Sequence, residues 1–239
     1  MLREPPVTPA STTDTTPAAA PAADAAPAAG ASAVLRQTMI DSQLRTVGIM
    51  DADVVRAFGA VPRERFMPAA AVGLAYADAA IEVAPGRWLL EPMTLGLLLQ
   101  NARVMPSDRV LVVGAATGYT AAILAEIGAR VTALESDAGL AALAQAAGVA
   151  VVSGPLVDGW AADAPYDLVV FEGAIALVPP AIAAQLAPGG RAAAVVRDGA
   201  VGSAHAGPVL ADGSIGGLAF LEVAARPLPG FERPRRFAF

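Results

Sequence analysis

The sequence predicts an α/β fold, a parallel sheet between helical layers with a helical extension ahead of it. Three observations predict it. From Arg109 onward, short apolar runs alternate with longer Ala- and Leu-rich stretches of helical period. The short runs are apolar at nearly every position, the pattern of strands buried on both faces. Gly, Pro and Asp fall between the runs, where turns and caps belong.

The elements follow in order. RVLVVG (109–114) reads as a buried strand and TAAILAEIG as the helix after it. RVTALE (130–135) is a second strand, and DAGLAALAQAAG is a short helix capped by Asp137 and ending at Gly148. VAVVSG is a third strand and YDLVVFEG (166–173) a fourth. PPAIAAQLAPGG reads as a helix stopped by Pro-Gly-Gly, and RAAAVVRDG as a fifth strand. After Gly199 the runs GPVLADG and GLAFLEVAAR suit two closing strands, at least one antiparallel. Ahead of the sheet, Leu35, Met39, Ile40, Leu44 and Val47 recur at helical spacing, with Gly48 as the stop. Asp51 is placed to cap a helix that ends before Pro62, and a third helix starts at Pro92, with proline in its first turn. Residues 1–33, rich in Pro, Ala and Thr, have too little large apolar surface to offset ordering entropy and are expected to be disordered. The division is therefore 1–33 tail, 34–105 helical extension and 106–239 core with closing strands.

Composition narrows the function classes. Of 239 residues, 55% are hydrophobic and 16% charged, enough apolar material for a sizeable core. The net charge is −6 and all 16 basic residues are Arg, so no electrostatic footprint for nucleic acid is expected. The one basic cluster, Arg233, Arg235 and Arg236, reads as a solvated tail. No cysteine is present, which removes disulfides, thiolate metal sites and Cys nucleophiles. No apolar run approaches the ~20 residues of a membrane span, and the N-terminus lacks the apolar stretch of a signal peptide. No metal and no membrane partner are expected, and the cytoplasm is the expected location. The sequence does not give the oligomeric state.

In such sheets ligands bind beyond the strand C-termini, where strand order reverses. The first strand leads into Gly114, Ala115, Ala116, Thr117, Gly118 and Tyr119, small residues that let backbone turn sharply and offer helix N-terminal N–H groups to an anion. The second strand ends at Glu135, followed by Ser136; an acid about 20 residues past such a turn is placed to accept hydrogen bonds from a ribose diol. This order points to a nucleotide-like ligand on a Rossmann-like fold. The spacing lacks the middle glycine of GxGxxG, which weakens the dinucleotide case.

From about Arg36 to Gly190 the chain resembles the protein-L-isoaspartate O-methyltransferase family. The resemblance is carried by MIDSQLRTVGI, by VPRERFMP followed by AYAD, by SDRVLVVGAATGY, and by APYDLVVFEGA followed by VP and QLAPGGR. It implies a class I S-adenosylmethionine-dependent methyltransferase fold, a Rossmann-like three-layer sandwich. It also implies S-adenosylmethionine as cofactor and isoaspartyl-containing proteins or peptides as methyl acceptors. It further places Pro155, Leu156 and Glu172 beside the cofactor. The departures are specific. Leu90 stands where the family has its active-site serine, Ala116 where it has the middle glycine of the loop, and Gly154-Pro155-Leu156 where it has Gly-Asp-Gly. Leu-Glu-Pro, Gly-Pro-Leu and Glu-Gly-Ala together resemble the variant set of a bacterial subgroup.

An isoaspartyl carboxylate is ionised at neutral pH and needs no general base, so transfer depends on alignment and exclusion of water. A carboxylate without a hydrogen-bond partner in a partly dry site costs several kcal/mol. Arg87, Thr94 and backbone N–H groups near Leu90 are the candidates for the missing contact, with Arg87 otherwise expected at the surface. Trp88 lines a cleft or packs. Glu91 caps the helix after it or meets a ligand. Glu172 is expected to face the cleft. His205, the one histidine, is expected in an exposed loop. A non-catalytic methyltransferase-fold binding or regulatory protein, and a methyltransferase with another acceptor, stay open as alternatives.

Overall fold

The computed structural model describes residues 29–197, 199 and 201–232. Residues 1–28 of the expected tail, and Arg233, Arg235 and Arg236, lie outside the described residues.

The first helix, α1 (Ala29–Met39), begins five residues ahead of the expected start. It continues as a π turn, Ile40–Leu44, and a 3-10 turn, Arg45–Val47, closed by Gly48 at φ 87°. Thr38, Ser42 and Thr46 hydroxyls donate to carbonyls four residues back, a competition with the backbone ladder that bends helices. Asp51 caps α2 (Ala52–Ala60), its carboxylate accepting from the Asp53 and Val54 N–H groups. A hairpin not foreseen in the sequence follows, β1 (Ile81–Ala84) and β2 (Arg87–Leu89), with Gly86 in its turn at φ 72°. Its signal was the Pro85-Gly86 dipeptide between two short apolar runs. Then α3 (Pro92–Ala102) starts with proline in its first turn, as expected. Glu91 makes no capping bond there; Asp78 Oδ1 accepts from the Met93 N–H instead.

The core alternation follows: β3 (Arg109–Val113), α4 (Tyr119–Ile127), β4 (Arg130–Glu135), α5 (Ala138–Ala146), β5 (Val151–Ser153), β6 (Tyr166–Ile175), α6 (Pro180–Ala183), β7 (Leu186–Arg197), β8 (Gly202–Gly207) and β9 (Leu221–Val223). The sheet order is β5-β4-β3-β6-β7-β8-β9. Strands β5 to β7 are parallel, and both closing strands are antiparallel. Strand order reverses between β3 and β6, which places the ligand-binding switch point at their C-terminal ends.

Two differences from the expected elements have clear causes. LAPGG belongs to β7 rather than to a helix: Pro188 has no N–H to continue a helix, and Leu186 already pairs with Tyr166. The strand bulges at Gly189 and Gly190, where a Cβ on Gly190 would lie 3.0 Å from the Tyr166 carbonyl. The fourth strand runs on to Ile175, so Glu172 lies within it.

Alternate residues on each strand serve different faces. Val110 and Val112 of β3 pack with Leu95, Leu98, Ile123, Leu124 and the extension residues Leu44 and Phe58. Leu111 and Val113 join Val169, Phe171, Ile182, Leu156, Leu228 and Phe231. The extension, α3 included, therefore shares one core with β3 and α4. The opposite face is covered by the single turn α6 and by loops, including the chain's last described segment.

Candidate active site

The turn after β3 is held in left-handed backbone at three positions: Gly114 (φ 72°), Ala116 (φ 52°) and Gly118 (φ 94°). The Gly114 and Ala115 N–H groups donate to the Leu134 carbonyl at 3.0 and 2.9 Å, and Gly118 N–H to Ala115 at 2.8 Å. Ala116 adopts a conformation that costs an L-residue roughly 1 kcal/mol or more, and its methyl is fully buried. Thr117 Oγ1 donates to the Phe66 carbonyl of the extension at 2.8 Å.

Glu135 ends β4 with its carboxylate beside this turn, where the sequence places it. It is wholly buried, and its oxygens are already filled. Oε2 accepts from Ala116 N–H at 2.7 Å and from Arg87 Nη2 at 2.6 Å. Oε1 accepts from Ser136 N–H at 2.7 Å, Asp137 N–H at 2.9 Å and Arg87 Nη1 at 2.5 Å. A carboxylate has about four lone-pair sites, and these five donors, with the Ser136 hydroxyl at 3.5 Å as a sixth, exhaust them. Arg87 is thus a buried, bidentate partner, 5% exposed, and not the surface side chain expected of it. Hairpin β1–β2 delivers it, since β2 begins at this residue.

The segment after β9 closes the rest. Leu228 N–H donates to the Ala174 carbonyl and Ala174 N–H to that of Arg226, both at 2.8 Å, so this stretch runs beside the C-terminal end of β6. Leu228 is 2% exposed. A Cβ on Gly114 would lie 2.8 Å from Leu228 Cδ2 and 3.2 Å from Arg87 Nη2; one on Gly173 would lie 2.9 Å from Leu228 Cγ. Phe231 stacks edge-on against Phe171, their centroids 5.6 Å apart. Trp88 lies under the Arg226 guanidinium at 5.6 Å.

Glu172 is buried rather than facing an open cleft. It accepts from Leu90 N–H at 2.8 Å and from the Thr120 hydroxyl. Burial pushes its pKa above the usual carboxylate range; the Thr120 and Leu90 bonds and the Arg63 and Arg87 guanidiniums oppose the rise. Leu90 thus spends its N–H on Glu172 and its carbonyl on Arg63 Nη2, at 2.8 Å. Arg63 is fully buried, 4.5 Å from the ring centroid of Tyr119. Tyr119 faces the extension, between Phe58 and Phe66, and burial pushes its phenol up to about 12. Arg63 and Thr120 were not singled out in the sequence, where VPRERF read only as a family block. Thr94 is wholly buried on α3, and its hydroxyl finds no partner among the described residues. Leu156 is buried against the Leu228 side of the core while Pro155 is exposed. His205 lies on β8, not in a loop; it meets the Ser203 hydroxyl at 3.0 Å, and burial lowers its pKa.

The structure therefore brings Arg87, Ala116, Glu135 and Ser136 together, and Leu90, Thr120 and Glu172 together beside them. It leaves Tyr119 and Thr94 on the helix face of the sheet and His205 on a distant strand.

A family model described as protein-L-isoaspartate(D-aspartate) O-methyltransferase matches residues 35–203. The chain belongs to this family. Among its relatives, the protein-L-isoaspartate O-methyltransferase of Koribacter versatilis is 39% identical over 166 residues, 66% of this chain and 75% of the relative. That of Methylorubrum extorquens is 40% identical over 165 residues, covering 66% and 72%. A solved protein-L-isoaspartate O-methyltransferase aligns with TM-score 0.65 at 19% identity, over 82% of this chain and 66% of that one, just under two thirds of its length. A second, from Plasmodium falciparum and in complex with S-adenosyl-L-homocysteine, aligns with TM-score 0.62 at 16% identity, covering 72% and 88%. Both likenesses bear on the fold, which is the class I methyltransferase sandwich the sequence predicts. No described helix is long and apolar enough to cross a membrane.

Within that family fold, the residues as placed do not fit S-adenosylmethionine. A ribose needs acceptor capacity on Glu135 that Arg87 and three backbone N–H groups have taken. The approach to Gly114 is filled by Leu228.

Proposed function

We propose that this chain is an S-adenosylmethionine-dependent carboxyl O-methyltransferase acting on isoaspartyl residues in proteins or peptides, in an arrangement where its own side chains hold the cofactor's place. The observation that carries the reading is the family match over residues 35–203, which spans β3, β4, β6 and the turn that build the switch-point site. The acid ending β4 and the left-handed turn after β3 add chemical support, since Glu135 and the Ala116 N–H meet where a nucleoside ligand belongs on this fold. We place the protein in the cytoplasm, as expected from its sequence.

The acceptor side departs from the family pattern. Leu90 has no hydroxyl, Thr94 is enclosed within the core, and Arg87 is committed to Glu135. None of the three meets an acceptor carboxylate as they stand, so orientation of the acceptor falls to groups outside this set. A second reading, a non-catalytic member of the family, is favoured by the buried Arg87–Glu135 pair itself.

The deciding experiment is transfer of a labelled methyl group from S-adenosylmethionine to an isoaspartyl peptide, with the aspartyl peptide as control. Base-labile label on the isoaspartyl peptide alone supports the enzyme. Folded protein that labels neither peptide supports the non-catalytic reading.

A further inference from the structure

The cleft at the ends of β3, β4 and β6 is closed by two parts of the chain that approach from opposite directions. One is the β1–β2 hairpin, which inserts Arg87. The other is the segment from Arg226 to Phe231, which inserts Leu228. Arg87 matches what a ribose diol would offer: two donors side by side, aimed at both oxygens of one carboxylate, at 2.5 and 2.6 Å. Leu228 occupies the space above Gly114 and Gly173, two glycines whose missing side chains leave room for close approach. Neither insertion is a loose contact: Arg87 is 5% and Leu228 2% exposed. Leu228 is anchored by its N–H on the Ala174 carbonyl, and its neighbour Phe231 by its carbonyl, which accepts from the Ala176 N–H.

We infer that Arg87 and Leu228 form an intramolecular occupant of the cofactor site, so that S-adenosylmethionine binds only when both withdraw. This rests on the methyltransferase reading above. The two parts differ in how they leave. Arg87 sits on a two-stranded hairpin outside the main sheet, so its withdrawal leaves the main sheet's ladder intact while shifting the buried Leu89 and the Leu90 bond to Glu172. The 226–231 segment is joined to β6 by a single bridge and a few hydrogen bonds at the last described end of the chain. Removing either insert lowers the work of opening and raises affinity for the cofactor, because a ligand that binds only the open state is weakened by the fraction closed.

Calorimetric titration with S-adenosylhomocysteine tests this on the full chain, on R87Q and on L228A, each first shown to unfold cooperatively on heating. Both variants are expected to bind at least tenfold more tightly than the native chain. If R87Q does not fold, L228A carries the comparison. Hydrogen exchange supplies a second readout: S-adenosylhomocysteine is expected to speed exchange of the Leu228 N–H in the native chain, since its bond to Ala174 must break. Equal affinity in native and variant proteins, with no change in that exchange, overturns the occlusion and leaves the methyltransferase reading intact if labelled methyl transfer occurs. No binding by any of the three folded proteins overturns the occlusion, and with absent methyl transfer it removes the enzymatic reading too.

Discussion

Replacing Arg87 by Met tests how firmly the site is closed. The ion pair is buried on both sides, with side-chain exposures of 6% for Arg87 and 0% for Glu135. Methionine keeps most of the aliphatic volume but leaves the carboxylate with three backbone N–H donors and no counter-charge. Breaking a buried pair from one side costs about 3–5 kcal/mol, because the remaining charge stays desolvated. Three retained N–H bonds place this case near the lower end, about 3 kcal/mol. The double variant R87M/E135Q removes the charge as well and is expected to recover most of that loss, ending within about 1 kcal/mol of the native chain. Urea unfolding of the native protein, the two single variants and the double variant measures the cycle. Because the pair is buried, its coupling is expected to be nearly the same at 0.05 M and about 0.5 M salt. A cost below about 1 kcal/mol for R87M, or a coupling that fades with salt, would mean a solvated surface pair and would refute the enclosed geometry.

Further outcomes follow from the same contacts. Gly114→Ala combines a left-handed φ of 72° with a Cβ 2.8 Å from Leu228, and is expected to cost about 3 kcal/mol in denaturant unfolding; in an L228A background the added cost is expected to fall by a third or more, and an unchanged cost would place Leu228 elsewhere. Glu172 has a folded-state pKa raised above its unfolded value, so the native state holds its proton over a window where the unfolded state has lost it, and stability falls as pH rises from the ordinary carboxyl pKa toward the raised one. E172Q is expected to flatten that decline in melting temperature across the acidic range, and an unchanged slope would show that Glu172 does not titrate there. Arg63→Met replaces a fully buried guanidinium that has one hydrogen bond, to Leu90, by an aliphatic chain of similar reach; its stability is expected to lie within about 1 kcal/mol of the native chain in urea, whereas a loss above about 3 would show a satisfied charge.

The parts of the fold legible in the sequence are those set by local chemistry. Asp51 and Asp137 cap helices because a carboxylate at that position meets N–H groups two or three residues on. Gly48 stops a helix because the next φ must be positive. The strands show through because burial on both faces leaves few polar positions. Legibility fails where a partner comes from far along the chain. Glu91 preceded a helix and read as its cap or a ligand contact, but Asp78, thirteen residues earlier, supplies the bond to Met93. LAPGG looked like a helix end and became a bulged strand through pairing with Tyr166.

The candidate site shows the same division more sharply. Glu135 was correctly placed at the end of β4 beside the turn, since strand length and turn spacing fix both. What the carboxylate binds was not fixed by either. A lone arginine after Pro-Gly carries an expectation of exposure, and the acids within ten residues of Arg87 are Asp78, Glu82 and Glu91, none of which it pairs with. Its actual partner lies 48 residues away, reached only because the hairpin folds over the sheet. Leu228 stands 114 residues beyond Gly114, in a stretch whose Pro-Leu-Pro-Gly-Phe reads as a turn. A family motif therefore specifies the shape of a receptor, while the identity of its occupant depends on contacts of long sequence separation. In this chain those contacts put an arginine beside Glu135 and a leucine over Gly114, where the motif alone predicts a ligand.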